Sequence, residues 1–152
     1  MSLASMLTAD AIAIAPPWRT FASTIDGLVD QMITAGTLAP EWRDEVRRAV
    51  TLREAESSTA VPDIAVSVPH ARVRGLPAAA AALAIAPDGL YEPIPTVRIR
   101  IVALLVSPNS AIEAHLKLLA GVATMLRSAP LRAALLEAGS GAAALAVLRQ
   151  HG

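Results

Sequence analysis

The clearest alternation of apolar and polar positions lies in the segment 63–72, which contains a proline followed by a histidine. The larger apolar residues of this segment alternate with smaller ones, as in a strand that buries one face; they are Ile64, Val66 and Val68. Pro69 has no N–H group and a fixed φ angle, so the pattern predicts that the strand ends there. We therefore expect His70 at a strand end on rigid backbone, with Arg72 and Arg74 close behind.

Three further segments have the pattern of strands. Residues 11–15 are short and apolar, which indicates an edge strand before the prolines that follow. Residues 76–87 are rich in alanine and predict a second strand. Residues 97–106 first alternate with arginines and then become wholly apolar, which is typical of a central strand covered on both faces. We expect residues 107–110 to break this strand.

Two amphipathic helices are predicted in the first third of the chain. Ser23 or Thr24 can cap the first helix, and Gly36 is suited to the position just after its end. Its apolar stripe follows helical spacing and consists of Ile25, Leu28, Val29, Met32 and Ile33. Pro40 predicts the start of the second helix, because proline is tolerated in a first helical turn.

The chain is expected to be helical from Ala111 to its end, with breaks near residues 128–130 and 139–140. The first of these helices has an apolar stripe of Ile112, Leu116, Leu119, Ala123 and Leu126. Helices, then strands, then helices predict an α/β fold. We expect one domain over residues 1–152, a sandwich with a central mixed β-sheet flanked by helices on both faces.

Composition excludes several classes of protein. Thirteen basic and thirteen acidic residues balance to a net charge of zero, which argues against nucleic acid or an anionic membrane surface as a partner. No stretch of about 18 strongly apolar residues predicts a membrane span, and the start of the chain lacks the pattern of a signal peptide. The absence of cysteine excludes disulfides and thiolate metal sites. A cytoplasmic protein is expected.

The histidines are the candidate reactive residues of this sequence. The ring of histidine titrates near neutral pH and can act as a nucleophile that carries a group. His70 follows a predicted strand, His115 lies in the first turns of a predicted helix, and His151 is at the end of the chain. The first two can meet at the carboxyl edge of a sheet if their strands are neighbours. Alternatively, His70 is a surface turn residue and His115 a helix residue bonded to a carbonyl group.

Other motifs for chemistry are missing from the sequence. There is no close His-x-x-x-His pair or cysteine, so a zinc site is not supported, and we expect no metal. The chain has no G-x-x-x-x-G-K-[ST], G-x-G-x-x-G or G-x-S-x-G sequence. These absences argue against a nucleotide-binding loop and against the nucleophile turn of hydrolases, and we expect no cofactor.

Four ordered motifs resemble a known protein family. They are Arg53-Glu54, Ser58-Thr59, Val68-Pro69-His70 and Glu113-Ala114-His115-Leu116, and the two histidines are 45 residues apart (115 − 70). The set is similar to the enzyme IIA domain of the mannitol/fructose type from the bacterial phosphoenolpyruvate-dependent sugar phosphotransferase system, which includes the nitrogen-regulatory IIA proteins. The resemblance covers about residues 7–148.

The resemblance implies a phosphocarrier function. His70 would accept phosphate from the histidine-containing phosphocarrier protein and pass it to a IIB domain, or use it to regulate a transporter or another regulator. His115 would donate a hydrogen bond to the phosphoryl group or fix the reactive tautomer of His70. Arg53 would pair with the phosphate, and Thr59 would lie in the segment of small residues that lines the site. Neither a metal nor a nucleotide is implied.

This sequence departs from the family pattern near the proposed site. Ala60, Val61 and Pro62 stand where the family usually has Gly-Ile-Gly, and Ser67 stands where alanine or a similar small residue is expected. Glycine gives backbone freedom that these residues lack. The departures favour a second hypothesis, in which the domain binds a transporter or regulator without carrying phosphate.

Overall fold

The computed structural model describes residues 2–151, within which there are six α-helices and six β-strands. The helices are α1 (Leu3–Met6), α2 (Phe21–Thr34), α3 (Arg43–Glu56), α4 (Ile112–Leu126), α5 (Ala129–Glu137) and α6 (Gly141–His151). The strands are β1 (Ile12–Ile14), β2 (Ala60–Val61), β3 (Val66–Ser67), β4 (His70–Val73), β5 (Ala80–Ile85) and β6 (Ile101–Pro108). Short 3-10 turns lie at Ala9–Ala11, Pro40–Trp42 and Pro62–Ile64.

The strands form one mixed sheet in the order β1-β5-β6-β3-β2, and β4 also pairs with β6. Strand β5 is antiparallel to β6 and parallel to β1, whereas β3 and β4 both run parallel to β6. The long apolar strand β6 is therefore central, and β1 is at an edge, as their sequence patterns predicted.

Both faces of the sheet are covered by helices, which confirms the predicted α/β sandwich. Alternate residues of β5 and β6 belong to two separate buried clusters. One cluster joins the sheet to α2 and α3, and the other joins it to α1, α4, α5 and α6. On the first face β5 presents only alanines, namely Ala80, Ala82 and Ala84, so α2 packs directly on the strand.

A strand ends before Pro69 as predicted, but it contains only Val66 and Ser67, because Ile64 lies in a 3-10 turn. The expectation that His70 lies at a strand end is wrong, since His70 begins strand β4. Strand β3 pairs Val66 with Ile101, and β4 pairs His70 with Leu105, so both strands keep the same offset of 35 residues relative to β6. The N–H group of Leu105 also donates to the carbonyl oxygen of Pro69, at 3.1 Å. Because proline cannot donate, it only interrupts the pairing, and His70 begins a new strand on the same path.

Several predicted boundaries shift in the structure. Thr20, rather than Ser23 or Thr24, caps α2, and Ser23 returns a hydrogen bond to it in a capping box. Gly36 follows the end of this helix with φ +78°, as expected. A 3-10 turn precedes α3 at the predicted proline, and β6 runs through residues 107–108, where a break was predicted.

The apolar stripe predicted for α4 is wrong except at Leu126, because Ala123 is exposed and Leu119 is only half-buried. Ile112 and Leu116 have relative exposures of 50% and 58%, while the buried residues of the helix are His115, Leu118, Val122 and Leu126. Apolar residues occupy more than one face of this helix, so spacing alone does not determine which face packs on the sheet. The packing of α4 against β6 and α5 determines which face of the helix is buried.

No single helix within residues 2–151 is long and apolar enough to cross a membrane. Among the described helices, α4 and α5 meet the requirements of length and composition only when taken together, and they are bent by 82° relative to each other.

Candidate active site

The backbone determines the tautomer of His70. Its Nδ1 atom lies 2.8 Å from the carbonyl oxygen of Val68, two residues earlier in the chain. A carbonyl oxygen only accepts hydrogen bonds, so Nδ1 carries the proton and donates it. In the neutral ring, Nε2 then has a free lone pair, and this nitrogen is available as a nucleophile.

His115 lies next to His70, as the sequence suggested. The two ring centroids are 5.5 Å apart, and the rings are tilted by 54°. His115 is only 4% exposed, and its Nδ1 atom is 2.8 Å from the hydroxyl oxygen of Ser107. Since β4 and β6 are parallel neighbours and α4 follows β6, the strand that carries His70 and the helix that carries His115 meet at one edge of the sheet.

The surroundings of both histidines favour the neutral form of the ring. The pKa of His70 is lowered mainly by burial and also by the charge of Arg53, against the raising effects of the Val68 carbonyl group and the Glu54 carboxylate. Burial, His70 and Arg72 lower the pKa of His115 to about 4. Burial disfavours the charged ring in both cases. A neutral His70 retains the lone pair that a nucleophile needs.

The histidine pair opens into a pocket of about 400 Å³ that also contains two arginines. Arg53 comes from α3, and its Nη1 group donates to the carbonyl oxygen of Ser57 at 3.2 Å. Arg72 comes from β4, and its Nη1 group donates to the carbonyl oxygen of Asn109 at 3.3 Å. Each of these bonds uses one of the five N–H groups of a guanidinium. The two guanidinium groups suit an anion with several oxygens, and Glu56 of α3 also lines the pocket.

Thr59 does not line this pocket. Its N–H and hydroxyl groups both donate to the Glu54 carboxylate, each at 2.8 Å. Its hydroxyl oxygen is also 3.2 Å from that of Ser67. Of the four residues predicted for the site, the structure thus brings His70, His115 and Arg53 together in one pocket, and it places Thr59 in a neighbouring polar network.

Sequence reasoning placed Arg72 close behind His70 but gave it no role in the site, and it missed Ser107. Arg72 is two positions after His70, so the period of a strand places both side chains on the same face. Ser107, which holds the ring of His115, had no signal, because it was expected to lie in a loop.

A wider cavity of about 740 Å³ lies between α2 and α3. Three of its charged groups form ion pairs, because Arg47 contacts Asp26 at 3.3 Å and Asp44 at 3.2 Å. Within residues 2–151 there is also no group of three or more histidine, aspartate or glutamate side chains that could hold a metal ion. The candidate chemistry therefore lies at the histidine pair.

Solved structures with a similar fold are IIA proteins of the phosphotransferase system. Nitrogen regulatory protein IIA-Ntr from Neisseria meningitidis superposes with a TM-score of 0.81 at 19% identity, covering 96% of this chain and 98% of that one. IIA mannitol from Escherichia coli gives a TM-score of 0.76 at 18% identity, covering 93% and 98%. These likenesses define the fold as that of the IIA type.

Sequence comparison then identifies the family. The family model described as "Phosphoenolpyruvate-dependent sugar phosphotransferase system, EIIA 2" matches residues 5–151. The chain is 28% identical over 152 residues to the fructose-specific EIIABC component of Bacillus subtilis (strain 168), and it spans 99% of its own length but about a quarter (24%) of that protein. The chain therefore belongs to the EIIA 2 family of the phosphotransferase system, which confirms the resemblance seen in its motifs.

Proposed function

We propose that this protein is a phosphohistidine carrier, with His70 as the residue that is phosphorylated. The observation that supports this most directly is the hydrogen bond from Nδ1 of His70 to the Val68 carbonyl oxygen, which leaves Nε2 as the nucleophile. The lone pair of Nε2 forms a bond to phosphorus while the bond between phosphorus and the donor's nitrogen breaks. The Nδ1–H group remains bonded to the carbonyl oxygen and stabilises the positive charge that the ring acquires.

The neighbouring residues have separate proposed roles. The neutral His115 ring, held through Nδ1 by Ser107, directs its Nε2–H group to a phosphoryl oxygen when Ser107 is the donor of their hydrogen bond. Arg53 supplies positive charge for the transferred group, and Arg72 adds a second guanidinium in the same pocket. Phosphoryl transfer depends mainly on such positioning and charge neutralisation, and this set of residues provides both.

The proposed partners are the histidine-containing phosphocarrier protein as donor and a IIB domain, or a regulated transporter or regulator, as acceptor. Support comes from a solved complex of enzyme IIA mannitol with phosphorylated IIB mannitol from Escherichia coli, whose fold matches with a TM-score of 0.75 at 18% identity. Around the pocket this chain exposes large apolar side chains, with Leu52 and Leu116 lining it and Ile112 one turn away on α4. Exposed apolar side chains of this kind are suited to docking another protein.

The phosphorylation itself is tested by mass. We expect that incubation with phosphoenolpyruvate, enzyme I and the phosphocarrier protein adds one phosphate of about 80 Da, labile to acid, as measured on the intact protein. His70→Ala should abolish this gain. His151→Ala is the matched control and should retain it, because His151 lies exposed at the end of α6. No gain with several phosphocarrier proteins would contradict the carrier function.

The second candidate function is an interaction module that does not carry phosphate. The departure at Ala60, Val61 and Pro62 is the observation that favours it. The same experiment separates the two functions, because an interaction module would take up no phosphate under any of these conditions.

A further inference from the structure

A chain of hydrogen-bonded side chains lies beside the pocket and has no role in the chemistry described so far. The hydroxyl group of Tyr91 is 2.7 Å from that of Ser67, which is 3.2 Å from that of Thr59. Thr59 in turn bonds to Glu54 at 2.8 Å. We call Tyr91, Ser67 and Thr59 the hydroxyl chain. Ser67 is fully buried and Tyr91 nearly so, and the Phe21 ring packs edge-on against that of Tyr91.

The direction of every bond in the hydroxyl chain follows from its end at a carboxylate. An ionised carboxylate only accepts, so Thr59 donates its hydroxyl proton to Glu54. Each hydroxyl group has one proton, and Ser67 must therefore donate to Thr59 and Tyr91 to Ser67. Burial raises the pKa of Tyr91 to about 12, so this first donor stays protonated. The N–H group of Thr59 binds the second carboxylate oxygen.

The hydroxyl chain and Glu54 connect helix α3, which carries Arg53, to strand β3, which leads into β4 and His70. Glu54 lies on α3 directly after Arg53, whose guanidinium is in the pocket. Ser67 lies on β3, three residues before His70 on the same strand path along β6. The bonds between them thus link the end of α3 to this strand. Two departures from the family pattern also meet here, because Ala60 is the register partner of Ser67.

We propose that the hydroxyl chain and Glu54 are positioning residues, which set the end of α3 and its Arg53 against the strand of His70 for phosphoryl transfer. This inference rests on the proposed carrier function. A displacement of about 1 Å in a group that contacts the reacting phosphoryl group is enough to slow a reaction strongly. A carboxylate fixed by two donors keeps its helix end in place better than apolar packing alone, since each bond restricts direction as well as distance.

The kinetic test compares Thr59→Val, which has the same shape but lacks the hydroxyl group, with Thr59→Ser, which keeps it. We expect Thr59→Val to reduce the kcat of phosphoryl uptake by about tenfold with little change in the KM for the phosphorylated donor protein. Thr59→Ser should restore most of the rate. Equal rates for both variants and the unaltered protein would overturn the positioning role.

A second readout requires no phosphorylation. The charged and titratable groups around His70 are Arg53, Glu54 and Glu56 of α3, Arg72 of β4 and His115 of α4. Because the Glu54 carboxylate raises the pKa of His70, Glu54→Gln should lower that pKa in an NMR titration of the ring. Thr59→Val should also lower the pKa of His70, because the Glu54 carboxylate would be released toward solvent. In a protein that already carries Glu54→Gln, adding Thr59→Val should leave the pKa of His70 unchanged.

The two readouts separate the two proposals. If the unaltered protein takes up no phosphate, the carrier function fails, while a drop in the pKa of His70 in Thr59→Val but not in Thr59→Ser still supports positioning of Glu54 at His70. If the pKa of His70 is the same in both threonine variants, the positioning role is overturned whether or not the protein carries phosphate.

Discussion

At the scale of single residues, the two histidines differ in how their rings are held. His70 is bonded to a backbone carbonyl group two residues away, so local chain geometry sets its tautomer. His115 is bonded to the Ser107 hydroxyl group, which can donate or accept, and it is the more deeply buried of the two. The motifs identified both residues, but the bond to Ser107 depends on β6 continuing past its predicted end, which no local signal indicates.

Burial of His115 makes the stability of the fold depend on pH. Its pKa of about 4 in the folded protein is below the ordinary 6.5, so the unfolded chain binds more protons between these values. The stabilising contribution is complete above pH 6.5 and is lost as the pH falls toward 4. We expect the free energy of unfolding in urea to drop between pH 7 and pH 5 by about 1–3 kcal/mol more than in His115→Gln. A parallel drop in both proteins would contradict this assignment.

The departures from the family pattern at residues 60–62 are also explained at this scale. Ala60 and Val61 form the extended strand β2, and Pro62 begins a 3-10 turn, so none of them needs the backbone freedom of glycine. The left-handed residue of this segment is Ala65, with φ 55°. The chain therefore makes its turn into β3 at a different position from the one that the missing glycines suggested.

At the scale of elements, helix α4 shows the limit of reading a periodic pattern. Its apolar residues cover more than one face, and the predicted stripe included Ile112 and Leu116, which are exposed. The face of α4 that packs on the sheet instead contains Leu118 and Val122, and this orientation of the helix buries His115. The same rotation leaves Leu116 at the pocket, where we propose that a partner docks.

Two leucines of α4 test this assignment. Leu118→Ala removes a buried side chain and leaves a cavity, so we expect it to reduce the free energy of unfolding by about 3 kcal/mol. Leu116→Ala changes an exposed residue and should alter stability by no more than about 0.5 kcal/mol. Urea denaturation of both variants is the measurement, and a reversed order of the two effects would mean that the originally predicted stripe is the buried one.

At the scale of the whole molecule, the first residues of the described chain pack against its last helix. Helix α6 contacts α1, the 3-10 turn Ala9–Ala11 and β1. The contact with the turn is close at Gly141, where an added Cβ atom would lie 2.5 Å from the carbonyl oxygen of Ala9. The two sequence-distant segments thus complete one face of the sandwich together.

Two neighbouring glycines offer a matched test of this packing. Gly141→Ala should reduce the free energy of unfolding by about 1–3 kcal/mol, because backbone would have to move to admit the methyl group. Gly139→Ala meets no atom within 4 Å and should stay within about 0.5 kcal/mol of the unaltered protein. Thermal and urea unfolding measure both, and equal stability of the two variants would show that the contact between α6 and the turn is loose.

The sequence by itself determined the class of fold, the central position of β6 and the choice of His70 and His115 as candidate site residues, because these depend on residue type and spacing along the chain. Only the tertiary structure decided which face of α4 is buried, that the strand resumes after Pro69, and that Thr59 bonds to Glu54 beside the pocket rather than lining it. The strand resumes because β4 pairs with β6, where His70 lies opposite Leu105, and the buried face of α4 is set by its packing on β6 and α5. Thr59 and Glu54 are close in sequence, but the fold of the chain at the end of α3 and the contact of Thr59 with Ser67 decide how Thr59 is held. The pattern of apolar and polar residues along the chain carries no information about which groups the tertiary structure brings together.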